Sequence, residues 1–141
     1  MRHTDPAFVR DLNDEKIEAL IEMMFLAAAA DGELSEVEHE QFVEKAEKLT
    51  ARQLTGDALE ALLSRVKKDL GSSGRDARLA AVKARLPDPS ARRLALALAI
   101  QIAAADGIVR TSERELIMDT AAALDIDGDT AADLVADLTK R

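Results

Sequence analysis

The sequence predicts an all-α protein, a single compact bundle of about seven helices, and three observations predict it. Helix start and stop signals recur along the 141-residue chain, and no run of alternating β-branched residues marks a strand. Hydrophobic residues make up 48% of the chain, enough to bury a core within one domain of this length. Two alanine-rich apolar stretches, residues 23–30 and 94–105, read as slim central helices whose axes can lie close together.

Asp5-Pro6 reads as an N-cap followed by proline at the first helical position, opening a short turn to about Leu12. Asn13 or Asp14 starts a long helix with Ile17, Leu20, Ile21, Met24 and Phe25 at helical spacing, ending near Ala30. Ser35 and Glu38 have capping-box spacing and open a second helix through Phe42, Ala46 and Leu49. Thr55 caps a third, with Leu59, Leu62, Leu63 and Val66 on its apolar face and Gly71 as its stop. Ser73 with Asp76 opens a fourth, which Pro87 terminates. Asp88-Pro89 repeats the cap-then-proline signature and opens the Ala/Leu helix to Ala105. Thr111 or Ser112 opens a sixth through Leu116, Ile117 and Leu124. The last starts near Asp127 or Asp129 and carries Leu134, Val135 and Leu138.

Composition removes several function classes. Aromatic residues are 2% of the chain, three Phe with no Trp or Tyr, too few for a platform that stacks single-stranded nucleic acid. The absence of Cys excludes disulfides, thiolate zinc sites and a cysteine nucleophile, and it allows a cytoplasmic location. His3 and His39 are the only imidazoles, too few to support a triad at an obvious spacing. A formal charge of −8 argues against nucleic acid as a partner. Neither apolar stretch reaches the roughly 18–20 residues a membrane span needs, and Gln101 interrupts the second. The start lacks a signal-peptide run, so the expectation is a soluble chain that is not an integral membrane protein.

Charge is uneven along the chain. Residues 65–93 carry a net +6, between a net −10 over residues 11–64 and a net −5 from residue 94 onward. This basic middle, about 55–93, is read either as ordinary solvated helix faces or as a docking surface for an acidic partner or membrane headgroups.

Shifting the chain by 75 residues aligns two segments without a gap. Nine of 26 positions are identical between residues 25–50 and 100–125, and the informative matches are Asp31/Asp106, Gly32/Gly107 and Glu38/Glu113. Leu34/Val109, Phe42/Ile117, Ala46/Ala121 and Leu49/Leu124 keep one apolar face. Each unit, about 15–50 and 90–125, reads as an apolar helix ending at Asp, a Gly that closes it, and a Glu in the first turn of the next helix. An Asp beside the negative end of a helix costs about 0.3–1 kcal/mol, so something offsets it twice. Hydrogen bonds to the N–H groups opening the next helix would do so. A cation is the other reading.

These two copies, Ala30-Asp31-Gly32-Glu33-Leu34-Ser35-Glu36-Val37-Glu38 and Ala105-Asp106-Gly107-Ile108-Val109-Arg110-Thr111-Ser112-Glu113, resemble the paired A-D-G-x-hydrophobic-x-x-x-E unit of TerB-like domains, associated with bacterial tellurite resistance. The resemblance runs from about Glu15 to Leu124, in length, repeat spacing and helical order. It implies a non-enzymatic stress-response module in which Asp31, Glu38, Asp106 and Glu113 are the candidate metal ligands. It further implies protein partners, some of them membrane-associated, and a cytoplasmic location with some members at the inner membrane face. If the halves pack about a pseudo-twofold axis, the four carboxylates converge. An oxygen-only set favours calcium, magnesium or manganese over zinc or copper. Arg110 stands where the first copy has Ser35, so the second cap shifts to Thr111 or Ser112.

Other motifs carry less. Asp125-Ile126-Asp127-Gly128-Asp129 with Asp133 departs from a calcium loop at its glycine, and at Ala136 where a Glu is needed, and reads as a capped loop. His39 reads as a solvated helix residue, Gly71-Ser72-Ser73-Gly74 as a flexible connector, and Met23 and Met24 as core filler. Two alternatives stand beside the TerB-like module. One is a metal-dependent hydrolase using the carboxylate cluster. The other is a charge-polarised adaptor with structural Asp-Gly turns, its docking residues being Lys67, Lys68, Arg75 and Arg78.

Overall fold

A computed structural model describes residues 14–29, 34–50, 52, 54–104 and 111–139. Among them lie seven helices and no strand: α1 (Asp14–Ala28), α2 (Glu36–Leu49), α3 (Gly56–Ser73), α4 (Arg75–Arg85), α5 (Pro89–Ala103), α6 (Thr111–Ala123) and α7 (Gly128–Thr139). The expected short turn over residues 5–12 falls outside the described residues.

α1 and α5 form the centre and pack more extensively on each other than any other pair. Residues 19–26 of α1, the charged Glu22 among them, and the wholly apolar residues 94–100 of α5 are buried without interruption. Ala95, Ala97 and Ala99 keep α5 slim, and Leu20, Met23, Leu94 and Leu98 fill the space around it. The remaining helices each lay one apolar face on this pair, Phe42 and Ala46 from α2, Leu59, Leu62, Leu63 and Val66 from α3, and Leu79 and Val82 from α4. Ile117 and Ala121 of α6 and Leu134 and Val135 of α7 complete the core. Phe25 and Phe42 meet edge to face with centroids 5.8 Å apart, pinning α2 to α1.

The helix bounds follow the 75-residue offset. α1 and α5 have the same length and coincide residue for residue under it, and so do the first residues of α2 and α6.

Local signals account for most ends. Ser35 and Glu38 form the full capping box of α2, and the Asp88 carboxylate accepts from Ser90 N at 3.1 Å with Pro89 in the first turn of α5. Two ends differ from expectation. α3 runs through Gly71, and the break comes at Gly74, whose φ of 85° side chains rarely tolerate; a glycine with helical φ does not stop a helix. Ser73 therefore lies within α3, and Gly74 occupies the cap position of α4. Thr55 sits at the cap position of α3 with no side-chain cap bond, and Glu47 of α2 accepts from Gly56 N at 3.3 Å instead.

Candidate functional site

Of the four candidate ligands, Asp31 and Asp106 lie outside the described residues. Glu38 is exposed in the first turn of α2, where one carboxylate oxygen accepts from Ser35 N at 2.8 Å while Glu38 N donates to Ser35 Oγ at 3.1 Å. Those bonds to Ser35 hold its carboxyl below the usual carboxylate range, so it stays ionised. Its other oxygen has no partner among the described residues. Glu113 is half-buried in the first turn of α6. Among the described residues no group of three or more His, Asp and Glu side chains is placed to hold a metal.

A cleft of about 250 Å³ joins the two units. It is lined by Ala28 at the end of α1, Leu34, Glu38, Gln41, Phe42 and Lys45 around α2, and Ile102 near the end of α5. A second, smaller cleft brings Ala27 of α1 together with Ala103 of α5. The C-terminal ends of α1 and α5, which lead into the two Asp-Gly units, thus lie at one end of the bundle. Burial lowers the Lys45 ammonium from its ordinary value.

The basic middle has a different use. Glu22 of α1 is 1% exposed; its Oε2 accepts from Arg78 Nε at 2.6 Å, and its Oε1 accepts from Arg78 Nη2 at 2.9 Å and also from Arg85 Nη2. The bond to Glu22 raises the Arg78 guanidinium above its ordinary value. Arg75 donates to the Leu26 carbonyl at 2.7 Å and to Thr120 Oγ1 at 3.2 Å, tying α4 to both α1 and α6. Its burial lowers its pKa. Arg65 reaches Glu18 at 2.7 Å, and Arg92 donates to the Leu86 and Lys83 carbonyls at the end of α4. Arg75 and Arg78 are consequently internal fasteners, which removes them from the expected docking set. Lys67 and Lys68 are the exposed cations of that set.

A family model described as tellurite resistance protein TerB matches residues 18–136. The chain belongs to the TerB family. The match reaches into all seven helices of this TerB domain and covers both Asp-Gly units and the Glu22–Arg78–Arg85 cluster. No curated protein and no solved structure matches the chain. No helix among the described residues is long and apolar enough to cross a membrane.

Two further features of the TerB domain bear on the sequence reading. His39 stays solvent-accessible, as expected, and also meets Glu60 of α3, with Nε2 2.9 Å from Oε1. The segment 125–129 is a capped loop: Asp127 accepts from Thr130 N at 2.7 Å, and Asp125, at φ 58°, is held by Lys83 at 2.7 Å. Those bonds hold both carboxyls below the usual range.

The buried acid was the residue that sequence reasoning missed. Its signal was available. Glu22 interrupts the apolar run of α1, and Arg78 and Arg85 are seven apart, two turns along one face of α4.

Proposed function

We propose that this TerB domain works without catalysis, as a stress-response module of the tellurite-resistance type that binds protein partners and a divalent cation. Asp31, Glu38, Asp106 and Glu113 would hold the cation. The observation that carries this reading is the meeting of the two units: the helix ends preceding both Asp-Gly segments line shared clefts, and Glu38, held ionised, lines one of them with an oxygen that has no partner among the described residues. A pseudo-twofold arrangement of the two helix pairs would account for the coincidence of their bounds.

The donor set fits a hard ion. All four groups are carboxylates, which suit calcium, magnesium or manganese. A bound cation would neutralise charge that otherwise repels across the two units and would fix the helix ends relative to each other. Partner binding is supported by the outer face of α2, where Glu36, Glu40 and Glu44 surround Val37, a large apolar side chain left 62% exposed. A basic, membrane-associated protein at the inner membrane face matches that surface.

Calorimetric titration of chelator-treated protein with calcium, magnesium and manganese tests the cation reading. Saturable binding that Asp31→Asn/Asp106→Asn abolishes is the expected result. Heat of dilution alone with all three ions would leave the acids as helix caps.

A further inference from the structure

A cleft of about 350 Å³ opens between α1, α2 and α3, sharing Leu34 with the Glu38 cleft, and lies within the size range of small-molecule pockets, about 300–1,000 Å³. Phe25, Ala29, Leu34, Leu63 and Leu70 give it an apolar floor. Its polar groups are His39, Ser64 and Lys67. His39 is itself held by Glu60, with Nε2 2.9 Å from Oε1. Lys67 is exposed and makes no ion pair among the described residues, and Lys68 follows it in α3.

Gly71 closes the lining, and its presence needs a reason. A glycine inside a helix is less favourable than alanine. At Gly71 a Cβ would meet no heavy atom within 4 Å, and the backbone is not left-handed, so neither packing nor conformation calls for glycine. A side chain there would extend into open space at the edge of the cleft lining.

We propose that this cleft binds a medium-chain fatty acid, with the acyl chain against Phe25, Leu34, Leu63 and Leu70 and the carboxylate on Lys67 Nζ. Volume and charge together select this class. The cleft holds a single flexible chain and is far too small for a peptide helix about 10 Å across. The apolar lining rewards each methylene removed from water, and the Lys67 ammonium, without an ion pair among the described residues, discriminates for an anionic head group.

The test is calorimetry on the full chain with chelator present, using monomeric octanoate, decanoate and dodecanoate, with decanol and decylamine as head-group controls and backbone amide shifts to locate the site. Affinity is expected to rise about fourfold per added methylene until the cleft is full. Decanoate should bind at least tenfold tighter than decanol or decylamine. Lys67→Gln should erase the preference of decanoate over decanol. Gly71→Leu should fill the cleft and abolish binding while the melting temperature holds or rises. Absence of saturable binding, equal affinity for decanoate and decylamine, shifts confined to other helices, or wild-type affinity in Gly71→Leu would each overturn the proposal. Chelation keeps this outcome separate from the cation reading.

Discussion

At position 22 of α1 a glutamate is buried, and at the equivalent position of α5, 75 residues on, stands Ala97, equally buried. One turn earlier, Glu18 of α1 reaches Arg65, whereas Arg93 of α5 donates to Ser90 within its own first turn. Phe25 and Phe42 touch across α1 and α2, where α5 and α6 have Ile100 and Ile117. Helix bounds therefore stay in register between the two units while charge does not. Register depends on apolar spacing and helix ends, which both units share. Charge depends on what each helix faces, and the acids of α1 face Arg65 of α3 and Arg78 and Arg85 of α4. Three of the nine cations of residues 65–93, Arg65, Arg78 and Arg85, answer the two acids Glu18 and Glu22 of α1.

The sharpest way to break this comparison is at its most unequal position. Glu22→Ala strands Arg78 and Arg85 beside a buried void, and urea unfolding should show a loss of about 3–5 kcal/mol. Glu22→Leu with Arg78→Met and Arg85→Met should recover most of it, because an apolar replacement for a whole buried charged cluster is close to neutral. A small effect of Glu22→Ala would mean that the arginines have water or other partners and that the asymmetry is not energetic.

The cap at the start of α2 comes next. Ser35→Ala removes the bond to Glu38 N and should cost about 1 kcal/mol by the same measurement. Gly74→Ala places a side chain at φ 85° between α3 and α4 and should cost about 1 kcal/mol or more. Gly71→Ala, three residues earlier with helical backbone, should instead raise the melting temperature, and the opposite signs of two neighbouring glycines separate conformation from composition.

The smallest effect is in acid. The Glu38 and Asp127 carboxyls are lowered on folding, chiefly by backbone hydrogen bonds from Ser35 and Thr130. A lowered folded-state value stabilises above the ordinary carboxylate range and is lost as pH falls through the folded values. The melting temperature should therefore decline from about pH 5 downward. Asp127→Asn keeps a cap without a titrating group and should make that decline shallower.

The sequence made much of the fold legible because its signals are local. Ser35 with Glu38, Asp88-Pro89 and the apolar faces of α1, α3 and α5 each declare a helix from residues a few positions apart. Gly71 and Gly74 were harder to separate, since composition marks both and only backbone conformation tells which one breaks the chain. Thr55 looked like a cap, but the acceptor is Glu47, nine residues back across a turn. The Glu22 cluster joins positions 56 and 63 residues apart, a pairing that helical periodicity does not encode. At the candidate site the motif named its acids, and the spatial link between units came only from the clefts shared by α1 and α5.

The most direct measurement of that link is paramagnetic broadening of backbone amide signals by substoichiometric manganese. Ala28, Ala29 and Leu34 of the first unit and Ile102, Ala103 and Ala104 of the second should broaden together, and Asp31→Asn/Asp106→Asn should remove both sets at once. Broadening of one unit alone, or scattered over the acidic faces of α2 and α7, would contradict a cation shared between the two.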